Sequence, residues 1–461
     1  MSQNFEDTIL ALATGSLHAA TALIRISGKA ASRTANILGF KLQKQRLASV
    51  VILKDGERKL DEALVIFLKG PRSYTGEDVM ELHVHGGRAV IEAVINTLQK
   101  QEGFRIAEPG EFTKRAVLNG KMDLTKAEGI NDLIQAETEA QRVQSFAQVD
   151  GALSEIAFGW REKAIKIAAH IEAYIDFPDE EIPESTLTSL GDEMSVLIRD
   201  IEKGLNDGRR GEILREGFRV AVIGPPNAGK STLVNWLSKR PVSIISEQPG
   251  TTRDVLEASL DLDGYPVIVA DTAGLRASTD PIENEGIKRA QEWAKTADGR
   301  LILLEPTTEA DFLERLKPNP ECDLVVLNKI DLLPTDVKKR ETLAISLRDE
   351  IGLDKLVNGL KKIVSKRMVG QEPAVITRTR HREALQSCLN SIKSAKTALL
   401  LGEEPEIVAE ELRAATKSLG RVVGAVDVED LLDVVFWRFL YRKIMFSRET
   451  NTKILLYKKK I

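Results

Sequence analysis

Residues Gly224-Pro225-Pro226-Asn227-Ala228-Gly229-Lys230-Ser231 match the pattern G-x-x-x-x-G-K-[ST]. That pattern works only between a strand and a helix, so it constrains the fold before anything else does. The short apolar run Arg219-Val220-Ala221-Val222-Ile223 precedes it and supplies the strand. Glycines let backbone N–H groups face phosphates, and a following helix adds positive potential from its N-terminus. Lys230 is placed to reach the β- and γ-phosphates of a nucleotide, and the Ser231 hydroxyl to ligate Mg²⁺. Asn227 to Thr232 therefore form the expected phosphate-facing segment. Further strand-like runs occur at Val267–Ala270, Leu301–Leu304 and Leu324–Leu327, with helix-like segments between them. Alternation of that kind predicts parallel βαβ units.

Two more motifs fall at the ends of those strands. Asp271-Thr272-Ala273-Gly274 places an acid for Mg²⁺ and a glycine N–H for the γ-phosphate. Asn328-Lys329-Ile330-Asp331 places a carboxylate that can accept from the ring N–H and exocyclic amine of guanine. Adenine offers no such pair of donors. The three motifs in this order resemble the GTPase superfamily, which makes GTP the expected nucleotide. A fifth element, Ile345-Ser346-Leu347-Arg348, stands where GTPases carry Ser-Ala-Lys, with Leu and Arg in place of Ala and Lys.

The hydrolytic machinery departs from the commonest pattern. The position after Gly274, often a water-orienting Gln, is Leu275. Asn227, with carbonyls of the loop Ser246–Asp254, is placed to hold a monovalent cation that neutralises transition-state charge. The alternative is that Asn227 only closes the turn. Thr252 is the expected second Mg²⁺ ligand. Glu283, in the acidic stretch Asp280–Glu285, is either a water-orienting acid or a solvated loop residue.

Around this α/β region the chain of 461 residues is long enough for about three domains. The first ~120 residues read as α+β. Strands are expected at Thr21–Ser27, Glu62–Phe67 and Val79–His85, and a helix at Ala89–Gln99 with Val90, Val94 and Leu98 on one face. From Leu124 to about Arg210 the pattern is helical, with Ile165, Ala168, Ala169, Glu172 and Ile175 as one stripe. Pro178–Pro183 interrupts it, and a further helix is expected near Leu190–Leu205. After Pro373 helices resume, with Leu385, Leu389, Ile392 and Leu399 as one stripe and Leu431, Leu432, Val435, Phe436, Phe439 and Leu440 as another. The expected architecture is multidomain: an α+β domain (1–121), an all-α domain in two parts (122–215 and 373–461), and an inserted α/β P-loop domain (216–372).

Lys and Arg total 65 and Asp and Glu 69, a net charge of −4, which excludes a globally basic nucleic-acid binder but not a local patch. Two cysteines, Cys322 and Cys388, exclude a disulfide framework and a four-thiolate zinc site; both are expected to be core residues. The polar start and the lack of any ~18–20-residue apolar run lead to the expectation of a cytoplasmic protein without a membrane span. His83 and His85 share one strand face, with no third metal ligand evident.

Several longer segments point further. They are Asp7-Thr8-Ile9 with Arg25-Ile26-Ser27-Gly28, Ser73-Tyr74-Thr75-Gly76-Glu77-Asp78, Ala107 to Ala116, Asn119-Gly120-Lys121-Met122-Asp123-Leu124 and Gly250-Thr251-Thr252-Arg253-Asp254. Over residues 5–448 the chain resembles the MnmE (TrmE) family of tRNA-modifying GTPases. The resemblance implies a potassium-activated GTPase. With the flavin-dependent partner MnmG (GidA), it adds an aminomethyl or carboxymethylaminomethyl group to C5 of the wobble uridine of certain tRNAs. It implies a homodimer joined through the N-terminal domain, and a heterotetramer or larger complex with MnmG. It places a 5-formyl- or methylene-tetrahydrofolate on Arg25, Glu81 and Lys121. It places K⁺ on Asn227, Ser246, Gln248 and Thr251, Mg²⁺ on Ser231 and Thr252, and the water-orienting acid at Glu283. Lys230 and Asn227 become catalytic, and Thr272, Ala273 and Lys329 join the nucleotide contacts.

The residues by themselves leave other readings open. Arg25 and Glu81 are also a candidate structural ion pair, and Lys121 a solvated loop residue. The family's terminal Phe-Cys-Ile-Gly-Lys is not matched after Arg448, where the sequence reads Glu449-Thr450-Asn451-Thr452-Lys453-Ile454. A GTP-dependent RNA- or ribosome-binding switch, and a modification-defective relative, therefore stand as alternatives.

Overall fold

The computed structural model describes residues 5–15, 19–176, 184–207, 209–240, 243, 257–271, 296–306, 313–314, 316–333, 343–368 and 374–425. The apolar stripe expected at 431–440 lies outside these. The chain divides into two compact units, one of residues up to Ala127 and the other of Glu128–Val423.

The first unit is built on a six-stranded sheet. Its strands are β1 (Thr8–Leu12), β2 (Ala19–Ser27), β3 (Ser49–Asp55), β4 (Arg58–Leu68), β5 (Val79–Gly86) and β6 (Phe104–Ile106). The spatial order is β3-β4-β5-β2-β1-β6, antiparallel except where β6 runs parallel to β1. The period-two pattern of β5 has the expected result, because Met80, Leu82 and Val84 are buried while His83 and His85 take the other face. Helices α1 (Thr34–Ile37) and α2 (Arg88–Gln99) cover the buried face. Ile91, Val94 and Leu98 of α2 join Ile24, Ile26 and Leu82 in one core. The α3 helix (Glu111–Leu118) follows Gly110, whose φ of 77° suits glycine.

Among the described residues of the second unit, two large cores stand out, with a smaller cluster of Ile302, Leu304, Leu327 and Ile330 on the insertion's sheet. The helical core joins α6 (Ala152–Asp176), α7 (Glu184–Leu205), α11 (Thr379–Leu401) and α12 (Pro405–Val423). The expected stripe on α11 is buried at Leu385, Leu389 and Ile392. The stripe expected on α6 is not the buried one. Ile165 is 41% exposed and Ala169 is exposed, whereas Leu153, Ala157, Trp160, Ala164, Ile167 and Ile171 face the core. This helix carries apolar residues on more than one face, and the stripe containing Ala157 and Ala164 lets its neighbours approach closely. Preceding these are α4 (Leu124–Gln135) and α5 (Glu139–Asp150), the latter begun by a capping box between Thr138 and Gln141.

The second core belongs to the α/β insertion. Its strands are β7 (Phe218–Ile223), β8 (Glu257–Leu262), β9 (Tyr265–Asp271), β10 (Gly299–Leu304), β11 (Asp323–Leu327) and β12 (Leu343–Ala344), in the order β12-β11-β10-β7-β9-β8. All pairings are parallel except the β8–β9 hairpin. Phe218, Val220, Val222, Leu233, Val269, Leu301 and Leu303 are buried together, under α9 (Lys230–Leu237) and α10 (Leu353–Met368).

The entry and exit of the insertion lie side by side. In α8 (Arg210–Glu216), a Cβ added to Gly211 would sit 2.2 Å from the Ile376 carbonyl oxygen. Arg215 Nε donates to Thr377 O at 2.8 Å, and Arg382 donates to Asp207 at 2.6 Å and Glu212 at 3.0 Å. Beside this clasp, buried Glu128 accepts from Arg380 at 2.7 and 2.6 Å and pairs with His381 Nε2 at 2.9 Å. Burial pushes the Glu128 carboxyl up, but Arg380, His381 and Arg378 outweigh it and hold it well below the usual range.

Candidate functional site

The phosphate loop leaves β7 at Gly224. A Cβ there would lie 2.0 Å from Leu303 O, so the loop crosses β10 at backbone contact. Asn227 (φ 66°) and Gly229 (φ 97°) are both left-handed, the type of backbone that gathers N–H groups into an anion-binding concavity. Lys230 opens α9 and is buried; its Nζ donates to Gly224 O at 2.9 Å and Pro225 O at 2.7 Å. Burial lowers its pKa, with the Asp271 charge opposing. Ser231 Oγ donates to Asp271 Oδ2, which joins the first two motifs across the ends of β7 and β9. Thr232 is exposed on α9.

The third motif is tied to the first. Asn328, buried at the end of β11, donates from Nδ2 to Ala228 O at 2.8 Å. Gly229 is required here, because its Cβ would meet Asn328 Nδ2 at 2.7 Å. Asn328 Oδ1 accepts from the Leu347 N–H at 3.3 Å. Ser346, fully buried, donates from Oγ to Asp331 Oδ1 at 2.8 Å and accepts from the Asp349 N–H at 3.1 Å. The divergent segment Ile345–Arg348 is thus docked on both Asn328 and Asp331. Lys329 Nζ pairs with Glu305 at 3.0 Å. Ser246, Gln248, Thr251, Thr252, Thr272, Ala273, Gly274, Leu275 and Glu283 lie outside the described residues.

A second cluster sits on the first unit's sheet. Arg25 and Glu81 are cross-strand partners on β2 and β5, on the side opposite buried Ile24 and Ile26. Arg25 Nε lies 3.0 Å and Nη2 2.9 Å from Glu81 Oε1. The guanidinium carbon is 5.4 Å from the Tyr74 ring centre and 5.9 Å from that of Phe112, within cation–π range. Tyr74 Oη hydrogen-bonds Thr113 Oγ1 at 2.9 Å. Lys121 is held against the same loop, with Nζ donating to Pro71 O at 2.9 Å. The structure therefore pairs Arg25 with Glu81 directly and brings Lys121 to their loop rather than to the pair. The ion pair is partly exposed.

Behind the cluster, Arg115 is fully buried and donates to Asp7 (2.6 Å), Glu77 (3.0 Å) and Glu111 (3.0 Å). Arg105 adds bonds to Asp7 and Glu111. Burial would raise the Asp7 and Glu111 carboxyls, but the arginine contacts prevail and lower both. Sequence reasoning missed Tyr74 and Phe112 as partners of Arg25. The available signal was one aromatic inside each of two long characteristic segments.

Among the described residues no three His, Cys, Asp or Glu side chains form a metal-ligating group. His85 instead pairs with Asp61 at 2.8 Å. Cys388 is a core residue whose thiol burial pushes up to about 12. Cys322 is only partly buried, because it lies just outside β11 rather than within it. No described helix is long and apolar enough to cross a membrane.

Two family profiles match the chain: GTP-binding protein TrmE N-terminus at residues 8–121, and MnmE helical domain at residues 124–439. Curated relatives named "tRNA modification GTPase MnmE" match along nearly the whole length. The protein of Parvibaculum lavamentivorans is 46% identical over 443 residues, covering 95% of this chain and 100% of that one. The protein of Paramagnetospirillum magneticum is 45% identical over 447 residues, with 95% and 100% covered. The protein of Anaplasma marginale is 45% identical over 448 residues, with 95% and 99% covered. With the phosphate loop, the guanine-type motif and both profiles in one chain, this protein belongs to the MnmE (TrmE) family.

Proposed function

We propose that this chain is a GTP hydrolase acting in tRNA modification. The observation that carries the reading is the convergence of three distant motifs through Ser231–Asp271, Asn328–Ala228 and Ser346–Asp331. Lys230, whose Nζ donates to the Gly224 and Pro225 carbonyls, turns to the β- and γ-phosphates when nucleotide binds. Asp331 accepts from the guanine ring N–H and amine while Ser346 steadies its other acceptor position. Asn328 locks the base-reading loop to the phosphate loop.

The test is Asp331→Asn. Two charge-assisted bonds of ~1.5–3 kcal/mol each are at stake, so GTP affinity should fall on the order of a hundredfold or more. Xanthosine triphosphate, with an oxygen where guanine has its amine, should bind better to the variant. Retention of full GTP preference would remove the guanine assignment.

The finer assignments follow from family membership. The Ser231 hydroxyl beside the Asp271 carboxylate is a hard-oxygen pair that suits Mg²⁺, with Thr252 as a further ligand. Mg²⁺ would supply charge neutralisation on the phosphates. Asn227, exposed and left-handed, would hold K⁺ together with Ser246, Gln248 and Thr251. Glu283 orients the attacking water, so Glu283→Ala should slow turnover while leaving GTP affinity nearly intact. Arg25, Glu81 and Lys121 hold a tetrahydrofolate, with Tyr74 and Phe112 offering ring faces beside Arg25. The protein acts in the cytoplasm as a homodimer, with the flavin-dependent MnmG in a heterotetramer or larger complex, and modifies C5 of the wobble uridine. Complementation of cells lacking that modification tests this, with tRNA nucleosides as the readout. Rescue only after rebuilding the segment beyond Arg448 to the family pattern would favour the modification-defective reading.

A further inference from the structure

One end of the first unit's sheet carries positive charge that its surroundings do not neutralise. Residues 40–48 lead from α1 into β3, and residues 69–72 leave β4 at the same end of the sheet. Together they supply Lys41, Lys44, Arg46, Lys69 and Arg72, with no Asp or Glu among them. All five are exposed, and none forms an ion pair among the described residues.

The two segments are fastened to each other. Arg46, left-handed at φ 64°, donates its backbone N–H to Phe67 O at 2.8 Å, and its guanidinium donates to Arg72 O. The acids nearest in sequence are already engaged. Asp78 Oδ1 accepts from Gly70 N at 2.9 Å, and Glu77 takes Arg115 at 3.0 Å and Ser27 at 2.7 Å. The chain after Arg72 runs directly to Tyr74, which faces Arg25, and Pro71 O receives Lys121. A solvent-facing track of cations thus ends at an aromatic side chain, the combination that suits a phosphate backbone with an unstacked base. The cations are exposed and spread over two segments rather than buried and convergent. That fits an extended polyanion better than a single anion.

We propose that Lys41, Lys44, Lys69 and Arg72, positioned by Arg46, contact the sugar–phosphate backbone of the RNA substrate beside the Arg25–Tyr74 cluster. This rests on the reading of tRNA as substrate. The test is the full-length chain with Lys41→Ala, Lys44→Ala, Lys69→Ala and Arg72→Ala together, leaving Arg46 to hold the loops. The control is Lys54→Ala, Arg58→Ala and Lys59→Ala at the opposite end of the β3–β4 hairpin. Binding of unmodified tRNA is followed by fluorescence anisotropy across a salt titration, with GTP hydrolysis as the folding check.

Each lost phosphate contact should remove about 0.7–0.9 from the slope of log affinity against log salt, about 3 for all four. Affinity at low salt should fall at least tenfold, with hydrolysis and the control variant unchanged. A parental slope and affinity in the patch variant, or an equal loss in the control, overturns the proposal. Normal tRNA binding with lost assembly of a protein complex would assign the patch to an acidic protein and overturn it as well. Absence of tRNA binding by the parent would overturn both this and the substrate reading, whereas a binding parent with an unaffected variant overturns the patch alone.

Discussion

His381 should make the second unit acid-sensitive. Its Nε2 meets Glu128 at 2.9 Å, while Nδ1 is buried without a hydrogen-bond partner among the described residues. Burial lowers its pKa from 6.5 to about 4, Arg380 and Arg378 add to the effect, and Glu128 opposes it. In the same cluster Asp132 is raised by burial and Arg215 lowered by it. The unfolded chain takes up the histidine proton near pH 6.5, whereas the folded chain waits until about pH 4. Stability is therefore full above pH 6.5 and is lost as pH falls toward 4. At ~1.4 kcal/mol per unit, the loss reaches about 3 kcal/mol. His381→Gln keeps a donor to Glu128 without a titrating ring. Urea unfolding and amide exchange on α11, measured from pH 7 to pH 4, should show the variant gaining about 3 kcal/mol relative to the parent. Glu128 has a depressed pKa and loses its own contribution only as pH falls below 4.5, at the lower edge of this range; because His381 helps to hold it down, the comparison is read between pH 7 and 4.5, where Glu128 stays ionised in the parent. A variant-minus-parent difference that stays flat with pH would refute the reasoning.

Three other perturbations test separate parts of the molecule. Ser346→Ala removes the hydroxyl that steadies Asp331; GTP affinity, read with a fluorescent analogue, should weaken by ~1 kcal/mol, about fivefold, with little change in maximal turnover. An unchanged dissociation constant would show that Asp331 does not need the contact. If Asn227 and carbonyls of the Ser246–Asp254 segment hold a monovalent cation as proposed, GTP hydrolysis should run much faster in K⁺ than in Na⁺, since the smaller ion would fit such a cage poorly; equal rates would remove the cation assignment. Arg115→Met leaves Asp7, Glu77 and Glu111 facing one another and should destabilise the first unit by ~3–5 kcal/mol, visible as a lower thermal midpoint; a shift of only a degree or two would mean that Arg105 alone suffices.

What was legible in the sequence was mostly local. The phosphate loop can be read because strand, turn and helix are adjacent in the chain, and Gly229 and Lys230 have few substitutes there. Strands β2, β4 and β5 announce themselves by alternation or apolar runs, whereas the edge strand β3 mixes exposed Val50 and Ile52 with Lys54 and Asp55 and carries no such signal. On α6 the expected stripe is not the buried one, because periodicity alone does not rank two apolar faces. The buried polar clusters were illegible for a different reason. Arg380 and Glu128 are separated by 252 positions, and Ser346 and Asp331 meet only after β12 has been placed beside β11. Arg25 and Glu81 were named through the family resemblance, but their cross-strand register and the Tyr74 and Phe112 faces needed the fold.

The clasp between residues 207–215 and 376–382 makes the α/β insertion a cassette whose two ends share one socket. Closing a loop that is already closed costs little, so lengthening or replacing what lies between those ends adds only a slowly growing entropic penalty. A G domain excised at the clasp would have neighbouring termini, the condition under which inserted domains fold on their own and circular permutants survive. The helical core, for its part, needs only a short bridge across the clasp, where Gly211 meets the Ile376 carbonyl, to remain one chain. The same socket that carries the GTPase thus also marks where evolution, or an engineer, can exchange it.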